Sequence, residues 1–266
     1  TSNSFGGQSR FGGGTLASGN IATTDEIKVT GANVVVASDH TFNVGASTVS
    51  GNLTLVSSSA AGASHTGITD EGNVTVGANF SATTNANNGA IDMGTLLVDG
   101  TIALATHGEG NATVVNDNVL KFAASTVGGA LNATATLGNI TQTETGTLTI
   151  TGTTTLVTSA NDATITLDTA TNAFTGAITI TTNDASGTDA NVTIDGGTTA
   201  LQIAASTVDG DLTLTSGNAS GITDTGTVTV GGNFSATTDA NNGVINVGTM
   251  AVDGTFTLAP NGNGAV

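Results

Sequence analysis

The sequence predicts an all-β chain folded as an elongated β-solenoid of short stacked strands. Three observations carry this prediction. Short runs alternate apolar and polar residues, the pattern of runs returns at long intervals, and the apolar content comes from small branched side chains.

The alternation is local. Leu53-Thr54-Leu55, Val74-Thr75-Val76, Leu148-Thr149-Ile150, Ile165-Thr166-Leu167, Ile178-Thr179-Ile180, Val192-Thr193-Ile194, Leu212-Thr213-Leu214 and Val228-Thr229-Val230 share one form. A period of two with β-branched residues is the signature of a half-buried strand. Clusters of Gly, Asn and Asp, such as 85–89 and 184–189, separate the runs and supply turn chemistry. No segment sustains a helical period. The spacing of the triplets is irregular, so turns of variable length are expected.

The long-range return is equally plain. Ser47-Thr48-Val49 recurs as Ser125-Thr126-Val127 and Ser206-Thr207-Val208, starts that are about 80 residues apart, an array-type period. The first and third copies agree closely: Gly67-Ile68-Thr69-Asp70 returns as Gly221-Ile222-Thr223-Asp224, and Val98-Asp99-Gly100-Thr101 as Val252-Asp253-Gly254-Thr255. The middle copy is more diverged, with Asn139-Ile140-Thr141 in the equivalent place. The expected organisation is a Gly- and Ser-rich leader over 1–20 and a single solenoid over 21–266. Its three long repeats cover about 45–122, 123–203 and an incomplete 204–266.

The third observation separates the solenoid from its alternative, three tandem β-sandwich domains. Hydrophobic residues make up 37% of the chain but aromatics only 3%, all of them Phe. A narrow solenoid interior is filled by Val, Ile, Leu and Ala, whereas sandwich cores generally use large aromatics.

Charge excludes whole classes of partner. The net charge is −17, with Arg10, Lys28 and Lys121 the only basic residues, which removes nucleic acid from consideration because phosphate binding needs a dense basic face. Without Cys there is no disulfide framework and no thiolate metal site. No apolar run reaches the roughly 20 residues that span a bilayer as a helix.

Catalytic chemistry is not expected. The three histidines, His40, His65 and His107, flank no nucleophile elbow and have no zinc-ligand spacing. No cofactor is required by any motif. Calcium is the ligand best suited to the oxygen-rich turns, and its candidate ligands are Asp184, Ser186 and Asp189, Asp239 with Asn241 and Asn242, and Asp70 with Glu71. Asn-x-Ser/Thr triplets at Asn52, Asn73, Asn79, Asn111, Asn139, Asn191 and Asn233 have the form of glycosylation sequons, but a chain this rich in Asn, Ser and Thr generates them by composition.

The stretches Asn191 to Ile194, Gly176 to Ile180 and Gly232 to Phe234 resemble bacterial β-strand-repeat surface proteins, a loose group that includes filamentous-haemagglutinin-like adhesins, autotransporter passengers and S-layer-like proteins. The resemblance implies an extracellular, cell-surface location and a role in adhesion, filaments or surface lattices, with no active site. Two roles follow as expectations. One is a self-assembling structural subunit, a homopolymer joined end to end or through strand edges. The other is a stalk segment of a large adhesin, with cell-surface glycans as the partner class.

Overall fold

The structure is a computed structural model that describes residues 14–16, 26–38, 41–58, 67–85, 88–184, 189–239 and 242–266. Its elements are strands, and the pairings between them are parallel, each strand lying against its counterpart one coil earlier and one coil later. This is a β-solenoid of about ten coils, and the parallel pairing excludes tandem sandwiches. The first strand, Gly14–Leu16, pairs with Val34 to Val36 and falls within the stretch expected to be a leader; the rest of 1–20 lies outside the described residues.

Inward and outward positions alternate as the triplets require. In Leu53–Ser57, Phe80–Thr84 and Leu212–Ser216 the first, third and fifth side chains are buried and the others half-exposed. The inward rows form one continuous core in which Val, Leu and Ile dominate, with Phe80, Phe122, Phe174 and Phe234 its largest fully buried side chains. The coils range from 19 to 27 residues, measured along the corner hydrogen bonds that Asn33, Asn52, Asn79, Asn111, Asn139 and Asn191 accept from the coil above. The register holds regardless: Thr141, Thr166, Thr193, Thr213, Ser235 and Thr257 stand in one outward row, because the extra residues are spent in the turns.

Two sheets carry the stack, and each alternates between two strand forms. Sheet 1 runs through the straight strands Val34–Ser38, Leu53–Ser57, Phe80–Thr84 and Thr101–Ala105. It then passes through the bent pairs Leu120–Phe122 with Ser125–Val127, Ile140–Gln142 with Leu148–Ile150, and Ile165–Leu167 with Ala173–Phe174. It straightens again through Val192–Asp195, Leu212–Ser216, Phe234–Thr238 and Phe256–Ala259. Sheet 2 does the opposite. It is bent at Phe42–Val44 with Ser47–Val49, at Ile68–Asp70 with Val74–Val76, and along Ile91–Val98, whose register shifts between Met93 and Leu96. It is straight through Ala112–Asn116, Leu131–Ala135, Thr154–Thr158 and Ile178–Thr181. It bends once more from Leu201–Ile203 with Ser206–Val208 up to Ile245–Asn246 with Met250–Val252.

This phase difference explains the long repeat. Between Ser47 and Ser206 the chain enters sheet 1 seven times, at Leu53, Phe80, Thr101, Leu120, Ile140, Ile165 and Val192. Two long repeats are therefore seven coils, and one is three and a half. Each repeat begins half a coil out of phase with its predecessor, so the middle Ser-Thr-Val lies on sheet 1 and the other two on sheet 2. The first and third copies share a face and an environment, which accounts for their closer agreement in sequence.

Corners are closed by a few repeated devices. An Asn or Asp before a strand accepts the backbone N–H of the next coil: Asn33 from Asn52, Asn52 from Asn79, Asn191 from Asp211, and Asp211 from Asn233, at 2.6–3.0 Å. Most of the sequon-like triplets are this corner residue followed by one inward and one outward strand position. Buried Thr84, Thr106 and Thr238 end their strands by donating to a carbonyl four or five residues on. Gly67 and Gly221 occupy equivalent turns at φ +92° and +67°, where a Cβ would lie 1.7 Å from the carbonyl oxygen of Ala90 or Val244.

One inward position departs from this economy. Thr154 is fully buried in the row between Leu131 and Ile178, and its Oγ1 has no hydrogen-bond partner. Thr154→Val keeps the shape and removes the stranded hydroxyl, and is expected to raise stability by about 1 kcal/mol. An upward shift of the urea midpoint at unchanged slope is the check.

Candidate functional site

The polar groups that the fold positions with most care lie where a straight strand meets a bent pair. A bend in one coil leaves a backbone N–H of the straight coil beneath it without its ladder partner, and a buried orphan donor is costly. The Ser of each Ser-Thr-Val fills the gap. The Ser47 hydroxyl accepts from Val29 N–H, between the short sheet 2 strands Glu26–Ile27 and Thr30–Gly31, at 3.0 Å and donates to Gly45 C=O at 2.7 Å. Ser125 does the same between Leu104 N–H and Ala123 C=O, and Ser206 between Ile180 N–H and Ala204 C=O. The repeat's most visible motif is thus the residue that starts a bend.

The return to a straight strand uses side-chain acceptors from the straight coil. Asn116 is fully buried at the end of Ala112–Asn116; its Oδ1 accepts from Val98 N–H at 2.8 Å, and its Nδ2 donates to the carbonyls of Val98 and Val119. On sheet 1 the Thr199 hydroxyl, in the turn after Val192–Asp195, accepts from Phe174 N–H at 3.1 Å. Buried Asn172 works between two bent coils, accepting from Leu148 N–H at 2.9 Å and donating to Leu167 C=O. Neither Asn stands out in the sequence, where Asn is abundant and mostly marks turns. Beside the sheet 2 switch a surface groove of about 260 Å³ opens between Thr75, Thr95, Leu97, Val115, Asp117 and Thr136.

Between the switches a second set of groups clamps the bends. Asp70 accepts from Gly94 N–H and Thr95 N–H, both at 2.8 Å, and from the Thr95 hydroxyl at 2.7 Å; that hydroxyl is also within 2.8 Å of Gly72 C=O. Asp224 repeats the arrangement with Gly248 N–H at 3.0 Å, Thr249 N–H at 2.7 Å and the Thr249 hydroxyl. Burial pushes the Asp224 carboxyl up, but the Thr249 hydroxyl and the N–H groups of Gly248 and Thr249 outweigh it and hold the group below its ordinary value. The middle copy has Gln142 in this place. Its Nε2 donates to Gly146 C=O at 2.6 Å and to Asn172 Oδ1 at 3.0 Å, while Asn172 Nδ2 donates back to Oε1 at 2.9 Å.

The calcium candidates separate under this geometry. Asp70 spends both carboxylate oxygens on its clamp, with Glu71 beside it. Asn242 sits at φ +60° and accepts from Asn263 N–H at 2.8 Å, and Asp239 directly follows the strand Phe234–Thr238. Ser186 and Asn241 lie outside the described residues, as do His40 and His65. Asp184 and Asp189 face a carboxylate that sequence reading did not single out, Asp162, at φ +61° on the preceding coil. The Asp184 side chain hydrogen-bonds Asp162 and, with desolvation and the charges of Asp184 and Asp189, raises the Asp162 carboxyl above its ordinary value. Asp195 is also raised, first by burial and then by Asp239 and Asp168, against a lowering N–H from Gly197. Among the described residues no three His, Cys, Asp or Glu side chains are grouped closely enough to hold a metal ion. Nor is any helix of the described residues long and apolar enough to cross a membrane.

Two stretches, residues 109–181 and 189–246, match the model of a family described as repeats of unknown function (DUF5649). The chain is a β-solenoid repeat protein. The two matches start 80 residues apart (189 less 109), so each covers most of one three-and-a-half-coil repeat. No curated protein and no solved structure matches the chain.

The Asp162 corner gives a signed pH dependence. A carboxyl raised in the folded state contributes stability at low pH that is lost as pH rises through the raised value. Acidification from neutral pH should therefore increase the exchange protection of Asp162 N–H, which donates to Asn183 C=O at 3.0 Å. Asp162→Asn should remove that dependence while leaving strand amides unaffected.

Proposed function

We propose that this chain is an extracellular structural protein, a self-assembling subunit of a cell-surface filament, matrix or lattice. The observation that carries the reading is the stack itself: parallel coils of the same kind pair backbone to backbone in register around one continuous apolar core. Such coils add one upon another, with parallel strand pairing supplying the register.

The family match supports a repeat architecture, and the resemblance to β-strand-repeat surface proteins supports a surface location. The acidic composition favours a solvated rod that resists nonspecific association. Calcium is proposed as an accessory that neutralises carboxylates at the corners near Asp184, Asp189 and Asp239. A stalk role within a larger adhesin rests on the same rod, roughly 50 Å long at about 4.8 Å per coil.

Electron microscopy of the purified chain across a concentration series, in calcium and in chelator, tests the proposal. Fibres or sheets with a regular repeat are expected. Isolated short rods at every concentration would overturn assembly and favour the stalk.

A further inference from the structure

The clamps that hold the bends differ in chemistry between the two sheets. On sheet 2 both are carboxylates, Asp70 and Asp224, each accepting two backbone N–H groups and one hydroxyl from the coil above. On sheet 1 the equivalent clamp is Gln142, which cannot titrate and which both donates to and accepts from Asn172. Half-coil phasing puts every acidic clamp among the described residues on one side of the rod and the neutral clamp on the other. We propose that acid releases the Asp224 clamp of sheet 2 while the Gln142 clamp of sheet 1 stays latched, so that the rod softens along one side only.

The chemistry follows from the number of acceptors. An ionised carboxylate satisfies Gly248 N–H, Thr249 N–H and the Thr249 hydroxyl with charge-assisted bonds. Protonation turns one oxygen into a donor facing these same donors. The sign agrees with the lowered Asp224 carboxyl: its contribution is complete above the ordinary Asp value and is lost as pH falls through the lowered one.

The surroundings add little competing titration. Beneath Asp224 lie Gln202 and Ile203, and on the coil above Asn246 pairs with Thr223, all uncharged. Gln142 Nε2 reaches Gly146 C=O and Asn172 Oδ1, and neither titrates.

Backbone hydrogen exchange of the intact chain, resolved by residue and normalised to intrinsic rates, tests this between about pH 6 and about pH 2.5, the range spanning carboxylate titration. Protection of Gly248 and Thr249 should fall about tenfold or more with acid, while Leu148, held by Asn172, keeps its protection. Asp224→Asn should lower protection at Gly248 and Thr249 at neutral pH and remove its acid dependence. Gln142→Glu should act with the opposite sign: a carboxylate facing Gly146 C=O and Asn172 Oδ1 loosens the middle bend at neutral pH, and protonation restores it. Unchanged protection at Gly248 and Thr249, or a loss shared with Leu148 and the straight strand Thr154–Thr158, would overturn the one-sided latch.

Discussion

The structure depends on one constraint: every backbone N–H in a stack of parallel strands must find an acceptor on the neighbouring coil. Straight coils meet it by lying in register. Bent coils break it, because the pair of short strands no longer matches the straight strand below or above. The polar residues that matter most in this chain stand at those mismatches. Ser47, Ser125 and Ser206 supply acceptors where bends begin, and Asn116 and Thr199 supply them where bends end. The apolar interior needs less specification, since Val, Ile, Leu and Ala fill inward rows wherever the register is kept.

Bending also organises the rod at a larger scale. Each sheet alternates bent and straight segments, and the sheets are out of phase by half a repeat. Bends therefore never accumulate on one side, and a seven-coil period restores the starting orientation. A sequence repeat of three and a half coils is the simplest means to that end, because one set of motifs serves both sheets. The cost is that equivalent residues meet different neighbours, and Asp70, Gln142 and Asp224 show how the clamp position was filled differently in each setting.

The fold was legible because its signals are periodic. Triplets such as Val192-Thr193-Ile194 gave the inward and outward faces, and the near-identity of 67–70 with 221–224 gave the long repeat. The half-coil phase was not legible, since coils of 19 to 27 residues blur the count. The role of Ser125 was hidden too: its sequence marks the repeat, but only the packed strands show which N–H it satisfies. Asp70 drew attention as a metal ligand because Asp in a turn has several readings, and its partners Gly94 and Thr95 lie a full coil away. Asp162 carries no motif, and its pairing with Asp184 arises from the stacking of two turns of unequal length.

The central claim is that successive repeats face opposite ways. Because the chain contains no cysteine, single cysteines can be placed and spin-labelled at the exposed Thr48, Thr126 and Thr207 and their separations measured in pairs. With Thr126 on the opposite side of the rod, the Thr48–Thr126 and Thr126–Thr207 distances should add to clearly more than the Thr48–Thr207 distance, itself about 34 Å for seven coils of about 4.8 Å. Two distances that sum to the third would place all three labels in one line and contradict the half-coil repeat.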